Sequence, residues 1–150
     1  MILEKTLANR ESYKPLLLMA DEDEQILNRY IGEGDLYEMR VNDDIIGVAL
    51  FIPVDEETIE LRNIALRPSY RGQGVAKEMI MQAETIFAAK QYTRIIVGTA
   101  NCNLNNVALY QKLGFRMYDI KRDFFAQHKK PQYEQGMQAI DFWMFEKNLK

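Results

Sequence analysis

Apolar residues recur with a helical period in the stretch KEMIMQAETIFAAK, which begins at residue 77. Apolar positions spaced about three to four residues apart predict an amphipathic helix that buries one face. The polar residues of the stretch fall on the other side of this helix. The predicted buried face holds Val75, Ala76, Met79, Ile80, Ala83, Ile86 and Phe87.

Shorter stretches show the period or the composition of β-strands. Residues 36–42 alternate between apolar and polar side chains, whereas residues 45–53 are nearly all apolar, as in a buried strand. Residues 58–66 form the next predicted strand, and Pro68 ends its ladder. Further strands are predicted at 3–7, 94–100, 115–122 and 139–146.

Capping residues mark the other helices. Helices are predicted over 10–19 and 22–31, with Asp21 as the candidate N-cap of the second. Asn103 is the candidate N-cap of a helix over 104–112, and Gly114 suits the position that closes it. The chain is therefore expected to contain about seven strands and about four helices.

The middle of the chain has the order of a βαβ unit. The strand at 58–66 is followed by a glycine turn, the amphipathic helix and the strand at 94–100. Such a unit is expected to be parallel and right-handed. No repeat and no linker divides the sequence, so we expect residues 1–150 to form one α/β domain in which helices cover a mixed sheet.

Composition sets only broad limits. The 150 residues are 47% hydrophobic and 27% charged, as is usual for a globular chain. The single cysteine, Cys102, excludes an internal disulfide and fits a reducing compartment. The sequence contains no run of about 18 apolar residues, so no membrane span is predicted. We therefore expect a cytoplasmic protein that does not engage a membrane.

The charge distribution limits the partners. A net charge of −3 disfavours a nucleic-acid partner, which usually requires a basic excess. Acidic residues are concentrated at 21–24 and 55–57. Each stretch alone is typical of a helix N-terminus or a loop, although together they would also suit a cationic substrate.

The turn RGQGVA at 71–76 is the candidate binding feature. A helix N-terminus leaves backbone N–H groups unpaired, and glycines before it let these groups approach an anion. No Lys-Ser/Thr pair follows Gly74, so the turn lacks the P-loop pattern, and Lys77 breaks the third position of the dinucleotide pattern. The turn alone predicts either a phosphate site or a simple connecting turn between a strand and a helix.

The turn and the sequence on both sides of it match a longer pattern. Arg71-x-x-Gly74-x-Ala76 resembles the Arg/Gln-x-x-Gly-x-Gly/Ala loop that binds the coenzyme A pyrophosphate in the GNAT superfamily of N-acetyltransferases. The upstream ELRNIALRPSY resembles the central strand of that family, and the downstream NCNLNNVALYQKLGF resembles its Asn…Tyr-x-x-Leu-Gly-Phe segment. Asn106 departs from the alanine that is frequent there. The resemblance covers roughly residues 36–118.

The resemblance implies a fold and an activity. It implies a mixed, mostly antiparallel sheet with a βαβ core that binds the coenzyme. It also implies transfer of the acetyl group of acetyl-CoA to a primary amine on a small molecule or a protein, with acetyl-CoA as co-substrate and no metal. A module that binds acyl-CoA without turnover, or a nucleotide-binding protein that uses the same turn, would be alternatives.

The resemblance also assigns roles to particular residues. Tyr110 matches the tyrosine that protonates the departing sulfur, although a core aromatic residue would also suit its helix. Glu60 matches the position of a glutamate base, although a salt-bridged strand residue or a water chain is the alternative. The residues expected to contact the coenzyme are Ile64, Ala65, Leu66, Arg71, Gly72, Gln73, Gly74, Val75, Ala76, Asn103 and, as a substitute, Asn101.

Other reactive residues are given no role. Cys102 has no evident base beside it, and His128 in the polar stretch QHKKP is expected to be an exposed loop histidine. The aromatic residues at 122–125 and Trp143 could line an acceptor pocket, but core packing is the simpler expectation. Edge strands make a homodimer a further expectation.

Overall fold

The structure is a computed structural model that describes residues 1–128 and 130–149. The helices are α1 (Lys14–Ala20), α2 (Glu24–Tyr30), α3 (Val75–Ala89) and α4 (Leu104–Lys112). Short 3₁₀ turns lie at Arg10–Tyr13, Pro68–Tyr70 and Phe124–Gln127. The strands are β1 (Leu3–Lys5), β2 (Asp35–Val41), β3 (Asp44–Pro53), β4 (Thr58–Leu66), β5 (Arg94–Ala100), β6 (Arg116–Lys121), β7 (Tyr133–Glu134), β8 (Met137–Gln138) and β9 (Phe142–Asn148).

One seven-stranded sheet organises the described residues, in the order β1-β2-β3-β4-β5-β9-β6. All neighbouring strands pair antiparallel except β4 and β5, which are parallel because α3 connects them. The predicted mixed, mostly antiparallel sheet and its βαβ unit are therefore confirmed. The edge strands are β1 and β6, and β9, the last strand along the described chain, lies between β5 and β6.

The sheet carries a separate apolar core on each face. One core joins the sheet to α3 and α4 and includes Met79, Phe87 and Tyr110. The other joins it to α1 and α2 and includes Leu17 and Leu27. Because each helix pair covers one face, the edges and the strand ends are the parts of the sheet left for a ligand.

Strand β4 contains an irregularity at Arg62. On β3, Leu50 pairs with Asn63 and Phe51 pairs with Leu61, so Arg62 has no partner in the register. This is the arrangement of a β-bulge, in which one extra residue changes which side the following residues face. The consecutive residues Arg62 and Asn63 accordingly both contact the same side chain, that of Tyr30.

The parallel pair β4–β5 ends before either strand does. Its last paired residues are Leu61 and Val97, whereas β4 continues to Leu66 and β5 to Ala100. The two strands therefore diverge, and backbone groups of β4 beyond Leu61 have no partner strand on that side. A gap of this kind in the middle of a sheet can accept an extended ligand as an added strand.

Three local features differ from the prediction. Asp23, and not Asp21, caps α2, since its side chain accepts the N–H groups of Gln25 and Ile26. The first predicted helix begins with the 3₁₀ turn at Arg10–Tyr13. The β7–β8 hairpin was not predicted, because two-residue strands carry no periodic signal.

Candidate active site

The glycine turn between β4 and α3 has the backbone shape expected from its sequence. Gly72 and Gly74 have left-handed φ values of +73° and +80°. In the described structure, a Cβ built on either glycine would meet nothing within 4 Å. The glycines are therefore needed for their backbone conformation and not for close packing, and the turn opens to its surroundings.

The N-terminus of α3 follows this turn directly. Its N-cap is Gly74, and no side chain in the described residues caps the first turn. The N–H of Glu78 is bonded to the Gly74 carbonyl at 3.1 Å, so the preceding amides have no carbonyl within the helix to bond. Free amides and the positive end of a helix dipole are the features that favour binding of an anionic group.

Side chains of the same turn surround this site. Gln73 donates its amide to the Ser69 carbonyl at 2.8 Å, which ties the glycine turn to the 3₁₀ turn after β4. Arg71 is exposed, with Nη2 at 3.7 Å from Sδ of Met19. A guanidinium here adds a full positive charge to the partial charge of the helix.

The end of β4 presents backbone donors to the gap beside β5. Arg67, just after the strand, donates its N–H to the Ile46 carbonyl on the β3 side at 2.8 Å. Backbone groups point alternately to the two sides of an antiparallel strand. The N–H groups of Leu66 and Ile64 therefore point into the gap, whereas Ala65 is directed to β3.

Tyr110 lies in the core on the α3–α4 side of the sheet. Its ring centroid is 5.8 Å from that of Phe145, which pairs with Val97 at the point where β4 and β5 diverge. The residue is 2% exposed, and burial raises the pKa of its phenol well above the ordinary value of 10. Within the described part of the chain, no hydrogen bond engages its hydroxyl. A phenol hydroxyl that makes no hydrogen bond within the protein can donate one to a ligand.

Glu60 lies on the opposite face of the sheet, in a cleft of about 330 Å³. Its side chain is 14% exposed, and Oε2 is 4.0 Å from Nη1 of Arg62. In the register it stands opposite Ile96, one residue before the parallel pairing ends. The cleft is also lined by Ile26, Arg29, Tyr30, Glu33, Ile52 and Phe124.

The two asparagines after β5 have different surroundings. Asn103 is the N-cap of α4, as expected, and its Oδ1 accepts the Asn106 N–H at 3.0 Å. The Asn101 side chain is engaged by the segment before β9, because its Oδ1 accepts the N–H groups of Ile140 and Asp141 and its Nδ2 donates to Gln138. Asn103 is therefore the better candidate for a ligand contact.

A chain of polar side chains runs behind the cleft. Asn63 donates to the Tyr30 hydroxyl at 3.1 Å, and Tyr30 donates to Asp21 at 2.9 Å. The other oxygen of Asp21 is 3.9 Å from Nε2 of His128. The side chain of His128 is only 6% exposed, so the expectation of an exposed loop histidine is wrong. Asp21, which lies beside the imidazole, comes from a distant part of the chain.

Most acidic residues at 21–24 and 55–57 contact backbone N–H groups or other side chains of the protein. Asp21 and Asp23 make the contacts described above, and Glu24 pairs with Lys14 at 3.2 Å. Asp55 accepts the N–H groups of Glu57 and Thr58, which lowers the pKa of its carboxyl. Asp21, Asp23, Glu24 and Asp55 therefore serve in caps, turns, hydrogen bonds and ion pairs, and no acidic residue of the two stretches lines the cleft beside Glu60.

An aromatic stack forms one wall of the cleft. Phe124 lies against Phe142 with ring centroids 4.5 Å apart and an interplanar angle of 19°. A Cβ on Gly98 of β5 would come within 2.0 Å of the Phe142 ring. The absent side chain of Gly98 thus makes room for Phe142, which in turn supports Phe124. Phe124 therefore lines the cleft. The sequence analysis gave such a pocket-lining position only as the alternative to core packing.

Sequence analysis did not single out Arg62 or Tyr30. The Arg62 guanidinium lies over the Tyr30 ring, with Cζ at 4.4 Å from the ring centroid. Strand alternation could have indicated Arg62, since it stands two residues after Glu60 and so faces the same side. Tyr30 gave no such signal, because it lies at the end of a short helix far from β4 in the sequence.

Among residues 1–128 and 130–149, no three His, Cys, Asp or Glu side chains form a group that could hold a metal ion. None of the described helices has both the length and the apolar content needed to cross a membrane.

The sequence model of the Acetyltransferase (GNAT) family matches residues 6–115. The uncharacterized N-acetyltransferase YvbK of Bacillus subtilis (strain 168) is 35% identical over 136 residues, which are 89% of this chain and 86% of that protein.

Solved acetyltransferase structures superpose on nearly the whole chain. A GNAT family acetyltransferase from Elizabethkingia anophelis with acetyl-CoA bound superposes with a TM-score of 0.92 and 30% identity, over 97% of this chain and 96% of that one. A Bacillus subtilis acetyltransferase in complex with CoA gives 0.91 and 29%, over 99% of each chain. This chain belongs to the GNAT family and is an acetyl-CoA-dependent acetyltransferase.

Proposed function

We propose that the protein transfers the acetyl group of acetyl-CoA to a primary amine by direct attack of the amine on the thioester. The observation that supports this most strongly is the gap between β4 and β5, which has the uncapped N-terminus of α3 at its end and Glu60 beside it. An elongated thioester carrier with an anionic middle matches both features. The proposal assigns separate roles to the turn, the strand end, Tyr110 and Glu60.

The coenzyme would be held by backbone groups. The amides of Gln73, Gly74, Val75 and Ala76 would bind its pyrophosphate, with Arg71 as an added charge and Gly72 shaping the turn. Ile64, Ala65 and Leu66 would run beside the pantetheine arm as a neighbouring strand. Asn103 would contact the coenzyme from the start of α4, while Asn101 keeps its structural bonds.

The chemistry requires two proton transfers. The amine lone pair forms the new N–C bond, and the amine proton passes to Glu60 directly or through water. The thioester oxygen becomes negative, and the N–H of Leu66, which points into the gap, would stabilise it. The C–S bond then breaks, and the sulfur takes the proton of Tyr110, which the raised pKa of this phenol keeps in place at neutral pH.

The same proposal covers the organisation of the protein. The whole chain would act as one acetyltransferase domain, because β1 and β9 share a sheet. The buried single thiol of Cys102 suits the reducing cytoplasm. The edge strand β6 is exposed along its length and carries Met117 and Ile120, each more than 40% exposed.

We expect β6 to pair with its equivalent in a second copy and so form a homodimer. Light scattering at micromolar concentration would then give twice the mass of the chain. Replacing Ile120 with Lys should return the mass to that of one chain, because like charges would face each other across the two-fold axis. A wild-type mass equal to that of one chain would exclude this dimer.

The anion site is tested by Gly74→Ala, with Gly136→Ala as the matched control. Both glycines have left-handed φ values, +80° and +76°, and open space at Cβ. Each substitution should therefore lower the free energy of unfolding by about 1–2 kcal/mol. Only Gly74→Ala should weaken CoA binding, by about tenfold to a hundredfold, since it turns amides away from the pyrophosphate. Equal calorimetric affinities in the two variants would count against the site.

The acid is tested by Tyr110→Phe, with Tyr92→Phe as a control in the same core. We expect kcat to fall about a hundredfold in Tyr110→Phe with little change in CoA affinity, because only proton donation is lost. Since burial raises the pKa of this phenol, the ratio of wild-type to variant kcat should stay constant from about pH 7 to 9. Unchanged kcat would remove Tyr110 from the mechanism.

The base is tested by Glu60→Gln, with Glu38→Gln as the control. Both carboxylates are largely buried and both stand two residues before an arginine. Glu60→Gln should lower kcat/KM about a hundredfold at neutral pH, and the loss should shrink as the pH approaches the amine pKa of about 10, where the free amine needs no base. A loss that is independent of pH would point to a packing effect.

A further inference from the structure

The cleft beside Glu60 carries charges of both signs. Arg29 and Arg62 line it together with Glu33 and Glu60. A cleft that selects a polyamine or another polycation requires an excess of carboxylates. The acidic stretches at 21–24 and 55–57, which could have supplied such an excess, do not line the cleft. The charge balance therefore favours an acceptor that carries a negative group as well as its amine.

Arg62 is the cation that is arranged to bind such a group. Its guanidinium lies over the Tyr30 ring, with Cζ 4.4 Å from the centroid, and this contact fixes its plane. Its closest carboxylate oxygen, on Glu60, is 4.0 Å away and so beyond hydrogen-bond distance. Within the described residues no hydrogen bond engages its N–H groups, and its side chain is 23% exposed.

The backbone supports this placement. Arg62 is the extra residue of the β4 bulge, without a partner on β3, and its side chain shares the side of the sheet that holds Glu60 and Tyr30. A planar guanidinium with open donors matches the two oxygens of a carboxylate better than any other side chain. The position is thus set by main-chain geometry and by the ring beneath it.

We propose that the acceptor is an α-amino acid with an apolar side chain, and that Arg62 binds its carboxylate while Glu60 receives its amine. This inference rests on the proposed function. An α-amino acid carries its amine and its carboxylate on one carbon, so the two groups can contact two neighbouring side chains of one strand. Ile26, Ile52 and Phe124 line the same cleft and form the apolar surface for the acceptor's side chain.

Three acceptors with one side chain test this assignment: leucine, leucinamide and 3-methylbutylamine. The amide removes the charge of the carboxylate, and the amine removes the carboxylate itself. Release of free CoA thiol is measured for the full chain as wild type, Arg62→Gln and Arg62→Lys. The control is Arg40→Gln, because Arg40 follows Glu38 by two residues on β2 as Arg62 follows Glu60 on β4, and it does not line the cleft.

The wild type should use leucine in preference to the other two acceptors. Arg62→Gln should lower kcat/KM for leucine by about tenfold to a hundredfold, mainly through KM, with a smaller loss for leucinamide. Arg62→Lys should fall between, since an ammonium keeps the charge but not the planar pair of donors. Any general effect of the substitution on Glu60 cancels when kcat/KM for leucine is divided by kcat/KM for leucinamide. The KM for acetyl-CoA should not change.

Two results would overturn the inference in distinguishable ways. Equal losses for leucine and leucinamide in Arg62→Gln, or a wild type that prefers 3-methylbutylamine, would exclude carboxylate recognition while leaving acetyl transfer to amines intact. Absence of thiol release with every acceptor, although calorimetry shows that acetyl-CoA binds, would remove the proposed function and this inference with it.

Discussion

The separation of β4 from β5 after Leu61 and Val97 is the constraint on which the site depends. A continuous sheet would satisfy the backbone of β4 as far as Leu66 and leave no room between the strands. Because the two strands diverge, a line of backbone donors remains unpaired in the middle of the molecule. The turn before α3 lies at the end of that line, so one ligand can use the strand edge and the helix end together.

The residues of the proposed mechanism lie on different faces of the sheet. Tyr110 belongs to the core beneath α3 and α4, whereas Glu60 and Arg62 face the side covered by α1 and α2. The gap is the place where groups from both faces can reach one bond. In the proposed mechanism, the acid and the base lie on opposite faces of the sheet, and a substrate in the gap would contact both.

The sequence predicted the parts of this arrangement that depend on local patterns. The period of α3, the glycines before it and the cap at Asn103 are all local, and the structure has them where expected. Arg62 and His128 were not predicted, because their surroundings depend on distant residues. The bulge at Arg62 exists only relative to the register of β3, and His128 lies beside Asp21, a residue far from it in the sequence.

Gly98 gives the cleft an adjustable wall. This residue never contacts the cleft itself, yet Phe142 occupies the space where its side chain would be, and Phe124 rests on Phe142. A larger residue at position 98 would displace the whole stack and reshape the cleft from within the sheet. If the cleft holds the acceptor as proposed, substitution at this strand position would alter substrate preference without touching the turn before α3.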